Sequence, residues 1–434
     1  MMLKLKKYFH ILIAYLSYWF YGRPSRKLVV IGVTGTKGKS TTCRLITSVL
    51  EGGGFKTGML STVEFQIGEK RWKNDKKMTM LGKGQIQKLL REMVKENCTH
   101  VVIETSSEGI LQNRHLGMNY DVAVFTNLGV EHAERHGGYE NLRSDKGKMF
   151  SSLSKSSRKK INGKKVEKII VVNGDDSEAE YFLKFNADKK ISYGFDANEF
   201  NGVEKIIGQY ILDDDQSLKV GSTIFKINIL GKFNLYNGLA AIAAGKIFGL
   251  SDEQISNGLK SVRLVEGRME FVDAGQNFRV VVDYAHEPMS LTALFSSLRK
   301  LVNGRIIAVV GSDGGGRDKQ KRSKMGKIAG EMADVVVVTD VNCYDEDPFQ
   351  IAEMLAGGAR EVGKMDGKDL FVEVDRAVAF DVAFSKAEKG DIVAITAKGT
   401  EPYIAIAKGQ KIPWDDRKVA RAILEEKYVI GETL

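Results

Sequence analysis

Cysteine and proline are scarce in this 434-residue chain, with 3 and 5 copies. Cys43, Cys98 and Cys343 are scattered, so no pair has metal-ligand spacing. Their odd number argues against a disulfide framework, and a reducing cytoplasm fits best. Few prolines beside an ordinary apolar fraction of 43% mark a globular protein with a sizeable core, and the length calls for two or three domains. There is no tandem repeat. No apolar run reaches the roughly 20 residues of a spanning helix. No basic and aromatic platform is interleaved, so the net charge of +10 reads as a mild bias towards polyanions such as nucleotides, and nucleic acid is not expected as a partner.

The N-terminal segment has a different composition. Lys4, Lys6 and Lys7 precede an apolar, aromatic stretch of about fourteen residues, Tyr8 to Tyr21, and Arg23, Arg26 and Lys27 follow. No small-residue cleavage site appears, which excludes a signal peptide. Two readings stay open for residues 4–21: an interfacial helix on anionic lipid, giving peripheral membrane contact, or a helix packed on the body of the protein.

The strongest motif comes next. Val29 to Val33 is an apolar β-branched run that feeds Gly35-Thr36-Lys37-Gly38-Lys39-Ser40-Thr41, and Cys43 to Leu50 reads as a helix. Glycines there let backbone N–H groups turn towards phosphate oxygens at a helix N-terminus. In such a P-loop Lys39 reaches the β/γ-phosphates and the Ser40 hydroxyl ligates Mg²⁺. The loop is shorter than the common spacing, and a bare glycine turn is the plain alternative.

Strands and helices then alternate, which predicts an α/β fold: a P-loop central domain with a parallel sheet, residues 27–262, and a Rossmann-like C-terminal α/β domain, residues 263–434, behind the helix of residues 1–26. Lys155 to Lys168 reads as a solvated lysine-rich patch, and Lys189 to Val220 as a smaller strand-rich insert. His100 to Glu104 and Val122 to Asn127 are strands ending in polar residues, so Glu104 and Asn127 should face the loop. Glu104 is the natural second carboxylate for Mg²⁺, or else a strand-end surface residue. His132 or His136 offers a neutral imidazole to a second metal, although a lone histidine is as often structural.

Taken together these stretches resemble the Mur ligase family, ATP-dependent amide ligases of peptidoglycan precursor synthesis with folylpolyglutamate synthase relatives. Further matches are Glu104-Thr105-Ser106-Ser107, Thr126-Asn127-Leu128 with Glu131-His132, Ser144 to Phe150, Gly231 to Asn237, Glu266 to Glu270, Asp283-Tyr284-Ala285-His286, Gly316 to Arg322 and Trp414 to Arg417. The nearest branch looks like the one that adds the third amino acid. The resemblance implies that Lys146 is carbamoylated, which turns a cation into an anion able to hold a second Mg²⁺. Lys39, Glu104, His132 and Lys146 would then be catalytic, with Ser40, Glu104, His132 and the Lys146 carbamate as metal ligands. It also implies that Asn237 and Arg268 bind the adenine and phosphates of ATP, that Asp283 touches the ribose, and that His286, Arg317 and Glu401 lie near the amino-acid site. The implied reaction runs through an acyl phosphate and releases ADP and phosphate.

Four departures narrow this resemblance. About 26 residues precede the first strand, too few for the family's N-terminal domain that holds the UDP group, so its absence is expected. Where the branch has Thr-Thr against the precursor, this chain has Thr79-Met80, although Ser106, Gln112 and Arg114 match. Val341-Asn342-Cys343-Tyr344 stands where diaminopimelate enzymes carry Asp-Asn-Pro-Arg, and tyrosine cannot form a bidentate pair with a carboxylate. Diaminopimelate is therefore disfavoured. Glu108 and Glu131 replace a histidine and an aspartate. The expected partners are a muropeptide-type precursor and an amino acid, and the expected assembly is a monomer. A ligase for a folate-like, polyamino-acid or lipid-linked carboxylate is the second reading. A partner-dependent ATP-binding scaffold is the third, and the scattered cysteines disfavour it.

Overall fold

The computed structural model describes residues 2–428 except 77, 83, 131, 132, 213, 317 and 318. The chain divides between Arg263 and Leu264 into two compact units.

The first unit opens with helix α1 (Met2–Phe20). Its strands are β1 (Val29–Thr34), β2 (Thr57–Leu60), β3 (Glu64–Ile67), β4 (Lys70–Lys73), β5 (His100–Glu104) and β6 (Val122–Phe125). A small hairpin, β7 (Lys160–Ile161) with β8 (Lys164–Lys165), precedes β9 (Ile169–Asn173), β10 (Lys189–Gly194), β11 (Glu204–Ile211), β12 (Asp214–Val220) and β13 (Thr223–Lys226). Eleven of these form one sheet in the order β13-β12-β11-β10-β9-β6-β1-β5-β2-β3-β4. The strands from β11 through to β2 pair in parallel and both margins are antiparallel.

β1 is buried at all six positions, as a central parallel strand covered on both faces must be. Helix α2 (Lys39–Gly52) packs on β1, β2 and β5, beneath α8 (Phe233–Ile247) and α9 (Asp252–Ser261). On the other face Tyr120 and Met149, the latter in α6 (Tyr139–Lys155), come so close that a Cβ on Gly32 would lie 2.6 Å from the Tyr120 ring. Only glycine fits there. The remaining helices of the unit are α3 (Gln85–Lys95), α4 (Ser107–Leu111), α5 (Ala133–His136) and α7 (Ala179–Leu183).

Two expectations are corrected here. Residues 189–220 form no separate insert. β10 pairs with β9 along Lys189↔Ile169 to Tyr193↔Asn173, and β11 and β12 extend the same sheet, because an open β9 edge would leave its ladder unsatisfied. The lysine-rich segment is only partly solvated: Lys159 and Lys168 are buried. Their ammonium groups lie 2.5 and 2.9 Å from the fully buried Asp121 carboxylate at the start of β6. A lone carboxylate there would be costly, and two cations with the Val30 N–H offset its desolvation. Burial pushes Lys159 down to about 8.

The second unit is a six-stranded sheet, with β14 (Glu270–Val272), β15 (Arg279–Val282), β16 (Ile306–Val310), β17 (Val335–Val338), β18 (Leu370–Val372) and β19 (Ile392–Ile395) in the order β14-β15-β19-β16-β17-β18. Only β14 is antiparallel. Helices α10 (Pro288–Leu301), α11 (Gln320–Met332), α12 (Pro348–Glu361), α13 (Arg376–Ser385) and α14 (Asp416–Lys427) alternate with the strands, as in a doubly wound nucleotide fold.

Candidate active site

The P-loop is held from below by the chain that leaves β6. Asn127 accepts from the Thr36 N–H through its carbonyl (2.8 Å) and from the Lys37 N–H through Oδ1 (2.8 Å). The Lys37 carbonyl accepts from Thr126 Oγ1 (2.7 Å) and Asn127 Nδ2 (3.1 Å). Gly129 N–H donates to Thr36 Oγ1 at 2.8 Å. These bonds tie both sides of the turn to one strand end. Gly38 takes φ 79°, where a side chain is strained, and a Cβ there would meet Asn237 Oδ1 at 2.4 Å. Lys39 donates to the Thr36 carbonyl at 2.8 Å, so its ammonium curls over the loop.

Glu104 is buried at the carboxyl end of β5. Its Oε2 accepts from Ser40 Oγ and from the Thr62 N–H, each at 2.8 Å. Thr62 Oγ1 in turn shares a 2.8 Å hydrogen bond with Thr79 Oγ1. The Cys43 thiol nearby is pushed well above its ordinary value, first by burial and then by the Glu104 charge. A hydroxyl and a carboxylate at the foot of a phosphate loop are hard oxygen donors, the set that Mg²⁺ takes alongside water and phosphate oxygens. Among the described residues no three His, Cys, Asp or Glu side chains converge as a metal cluster.

Lys146, buried in α6, donates to the Gly35 carbonyl at 2.9 Å and so reaches the first residue of the loop. His132 lies outside the described residues. His136 is buried, and its Nδ1 lies 2.5 Å from Asp145 Oδ2, with Lys148 on the other oxygen. It thus braces the neighbour of Lys146. Asn237 accepts from Thr42 Oγ1 (3.0 Å) and donates to Asn234 (2.8 Å), at the Gly38 end of the loop. Ser40 and Thr41 are buried at the start of α2.

A separate wall carries Thr79, Ser106, Gln112 and Arg114. Ser106 caps α4, its Oγ accepting from Gly109 N–H at 3.2 Å. Arg114 donates to Gln112 Oε1 at 2.5 Å and to the Met80 carbonyl, and burial lowers its pKa. The Met80 carbonyl thus braces Arg114, and the Met80 side chain is buried.

In the second unit, Arg268 lies 4.5 Å from the centre of the Tyr284 ring, and His286 packs on that ring at 4.4 Å. Asp283 accepts from the Met269 and Ala285 N–H groups (2.8 and 2.7 Å), so it fixes the turn that presents Arg268. His286 Nδ1 bonds the Tyr284 carbonyl at 2.7 Å. Asn342 is buried, donates to Asp313 (2.7 Å) and Glu401 (3.0 Å), and accepts from Ala405 N–H (2.9 Å). Arg317 lies outside the described residues.

Sequence reasoning missed Lys398, which is fully buried and donates to Glu401 (3.0 Å), Asn342 (3.2 Å) and the Tyr403 carbonyl (2.9 Å). Its place just beyond the end of β19 was the available signal. It also missed Thr62 and Asp313, whose roles depend on contacts distant in sequence.

The model of the Mur ligase middle domain matches residues 33–245, and that of the Mur ligase glutamate ligase domain matches residues 267–399. The chain is 38% identical over 415 residues to the UDP-N-acetylmuramyl-tripeptide synthetase of Roseiflexus sp. (strain RS-1), spanning 94% of this chain and 80% of that protein. It is 37% identical over 416 residues to the UDP-N-acetylmuramoyl-L-alanyl-D-glutamate--2,6-diaminopimelate ligase of Geobacillus kaustophilus (strain HTA426), with 94% and 81% covered. A solved UDP-N-acetylmuramoyl-L-alanyl-D-glutamate--2,6-diaminopimelate ligase superposes with a TM-score of 0.59 at 28% identity, over 92% of this chain and 78% of that one.

Proposed function

This chain belongs to the Mur ligase family, and on that premise we propose which of its residues carry the chemistry. It is an ATP-dependent acid–amino-acid ligase that joins an amino acid to a carboxylate of a peptidoglycan precursor. The carboxylate becomes an electrophile as an acyl phosphate, the amine attacks the acyl carbon, and phosphate leaves beside ADP.

The P-loop amides and Lys39 hold the phosphates of ATP, and the bonds from Thr126 and Asn127 fix the loop before nucleotide arrives. Ser40 and Glu104 would hold Mg²⁺, with His132 and Lys146 as carbamate for a second ion; bound there, Mg²⁺ neutralises charge on the transferred phosphoryl group. Asn237, Arg268 and Asp283 serve the rest of the nucleotide. Ser106, Gln112 and Arg114 receive the precursor with Thr79, and His286, Arg317, Asn342 and Glu401 receive the amino acid.

The observation that carries this reading is the buried Ser40–Glu104 hydrogen bond beneath a preformed phosphate loop. A buried carboxylate is costly, and the donors that offset this one, the Ser40 hydroxyl and the Thr62 N–H, hold it at the foot of the loop.

The amino acid lacks a distal carboxylate. Tyr344 occupies the arginine position of the diaminopimelate pattern, with φ 53°. The nearby Arg322 is buried and engaged with Glu346 (3.0 Å) and the Asp313 carbonyl (3.1 Å). Lysine fits better. The test is phosphate release with an amino-acid panel against UDP-linked and UDP-free muropeptides. Release with lysine is expected to exceed that with meso-diaminopimelate, and the reverse order overturns the assignment.

A further inference from the structure

From His10 to Phe20, helix α1 is largely apolar on two faces, and only one of them is covered. The inner face packs on the body. Tyr18 is buried and its hydroxyl accepts from Asn119 Nδ2 (3.1 Å). Asn119 Nδ2 also donates to Ser25 Oγ (3.0 Å), which donates to the Gly117 carbonyl (2.8 Å). These bonds fasten the helix and the turn after it.

The outer face carries Leu12, Tyr15, Leu16, Trp19 and Phe20, spaced i, i+3, i+4, i+7 and i+8. Four of them are 56%, 59%, 62% and 82% exposed (Leu12, Leu16, Trp19, Phe20). That is one continuous stripe rather than scattered apolar residues. Residues 1–27 include Lys4, Lys6, Lys7, Arg23, Arg26 and Lys27 and no Asp or Glu. The exposed Arg23 places its guanidinium 4.6 Å from the Trp19 ring centre, so charge and aromatic surface meet at the end of the stripe. No helix among the described residues is long and apolar enough to cross a membrane.

We propose that α1 docks flat on an anionic lipid bilayer, its Leu12-to-Phe20 stripe in the interface and its basic flanks on the headgroups. The charge pattern selects this occupant: an aromatic stripe with cations at both ends and no acid matches an anionic interface. The inner face of α1 and the wall bearing Gln112 and Arg114 enclose a cavity of about 160 Å³, also lined by Ile13, Ala14 and Leu81. Docking would therefore leave the wall read above as the precursor site beneath α1, with the helix between it and the bilayer. The docking itself does not rest on that reading.

Flotation of the full chain with vesicles tests it. The protein is expected to float with equal parts phosphatidylglycerol and phosphatidylcholine, and not with phosphatidylcholine alone. The Leu12→Ser, Leu16→Ser, Phe20→Ser triple variant changes exposed side chains only, and its partition should fall at least about tenfold. Salt raised from about 0.1 to about 0.5 M should release wild-type protein several-fold, because screening shortens the reach of the basic flanks. Equal partition of wild type and triple variant overturns the proposal. So does salt-insensitive binding, or lipid-free self-association that the triple variant abolishes, since a second copy would then cover the stripe. Phosphate release from ATP with soluble precursor should be the same in both proteins, which separates failure of docking from failure of the ligase reading.

Discussion

Replacing Glu104 separates a structural from a chemical role at the loop. Its Oε2 accepts two hydrogen bonds of 2.8 Å, from Ser40 Oγ and the Thr62 N–H. Bonds to a charged acceptor are worth about 1.5–3 kcal/mol and neutral ones about 0.5–1.5 kcal/mol. Glu104→Gln keeps an oxygen in place and removes the charge, so each of the two bonds loses about 1–1.5 kcal/mol and the stability cost is about 2–3 kcal/mol. Glu104→Ala leaves the Thr62 N–H and Ser40 hydroxyl without that acceptor and should cost about 2–4 kcal/mol. Activity should follow a different order. Loss of a negative charge at the phosphoryl-transfer site is expected to lower kcat/KM by about 10²–10³ in the glutamine variant, far more than its stability loss explains. Urea unfolding and ATP-dependent phosphate release are the two measurements. A Glu104→Gln enzyme within about threefold of wild type would refute the reasoning and leave Glu104 as a loop brace.

Other expectations follow from the same site and its surroundings. Lys146→Gln removes the amine that contacts the Gly35 carbonyl and would carry the carbamate, so phosphate release should fall by about 10²-fold or more, and wild-type activity should rise with bicarbonate if the lysine works as a carbamate. Bicarbonate-independent activity removes the carbamate. His100 lies between the Phe55 and Phe248 rings, and burial pushes it from 6.5 down to about 4. Between those values it is protonated only in the unfolded chain, so stability falls as pH drops from about 6.5 towards 4, by up to about 3 kcal/mol. His100→Leu should flatten that loss in pH-dependent urea titrations, although His115, also held near 4 by burial, keeps part of it. Gly38→Ala should weaken nucleotide binding at least about tenfold by calorimetry, since its Cβ has to displace Asn237 from the loop.

Much of the fold was legible because the strands are long apolar runs bounded by glycine and polar residues. β1, β5 and β6 read directly from their sequence. The margins did not. β10 to β13 alternate weakly and are rich in charge, so their membership of the central sheet depends on pairing with β9, which no local pattern encodes. The buried Lys159 and Lys168 were misread for a related reason, since a lysine-rich run looks solvated until Asp121 is brought between two of its members. In the site, the loop and the strand-end Glu104 announce themselves by position. Lys398, Thr62 and Asp313 become visible only when distant segments meet.

The sheet of the first unit also has a bearing on how concentrated the protein can be kept. It ends on β4, Lys70-Arg71-Trp72-Lys73, a short strand with three cations among four residues. An open strand end is a template for another chain, and like charge along it repels a second copy approaching in register. That protection is electrostatic. It should weaken as added salt screens the cations, so solutions stable at low ionic strength are expected to begin forming edge-paired aggregates in concentrated salt.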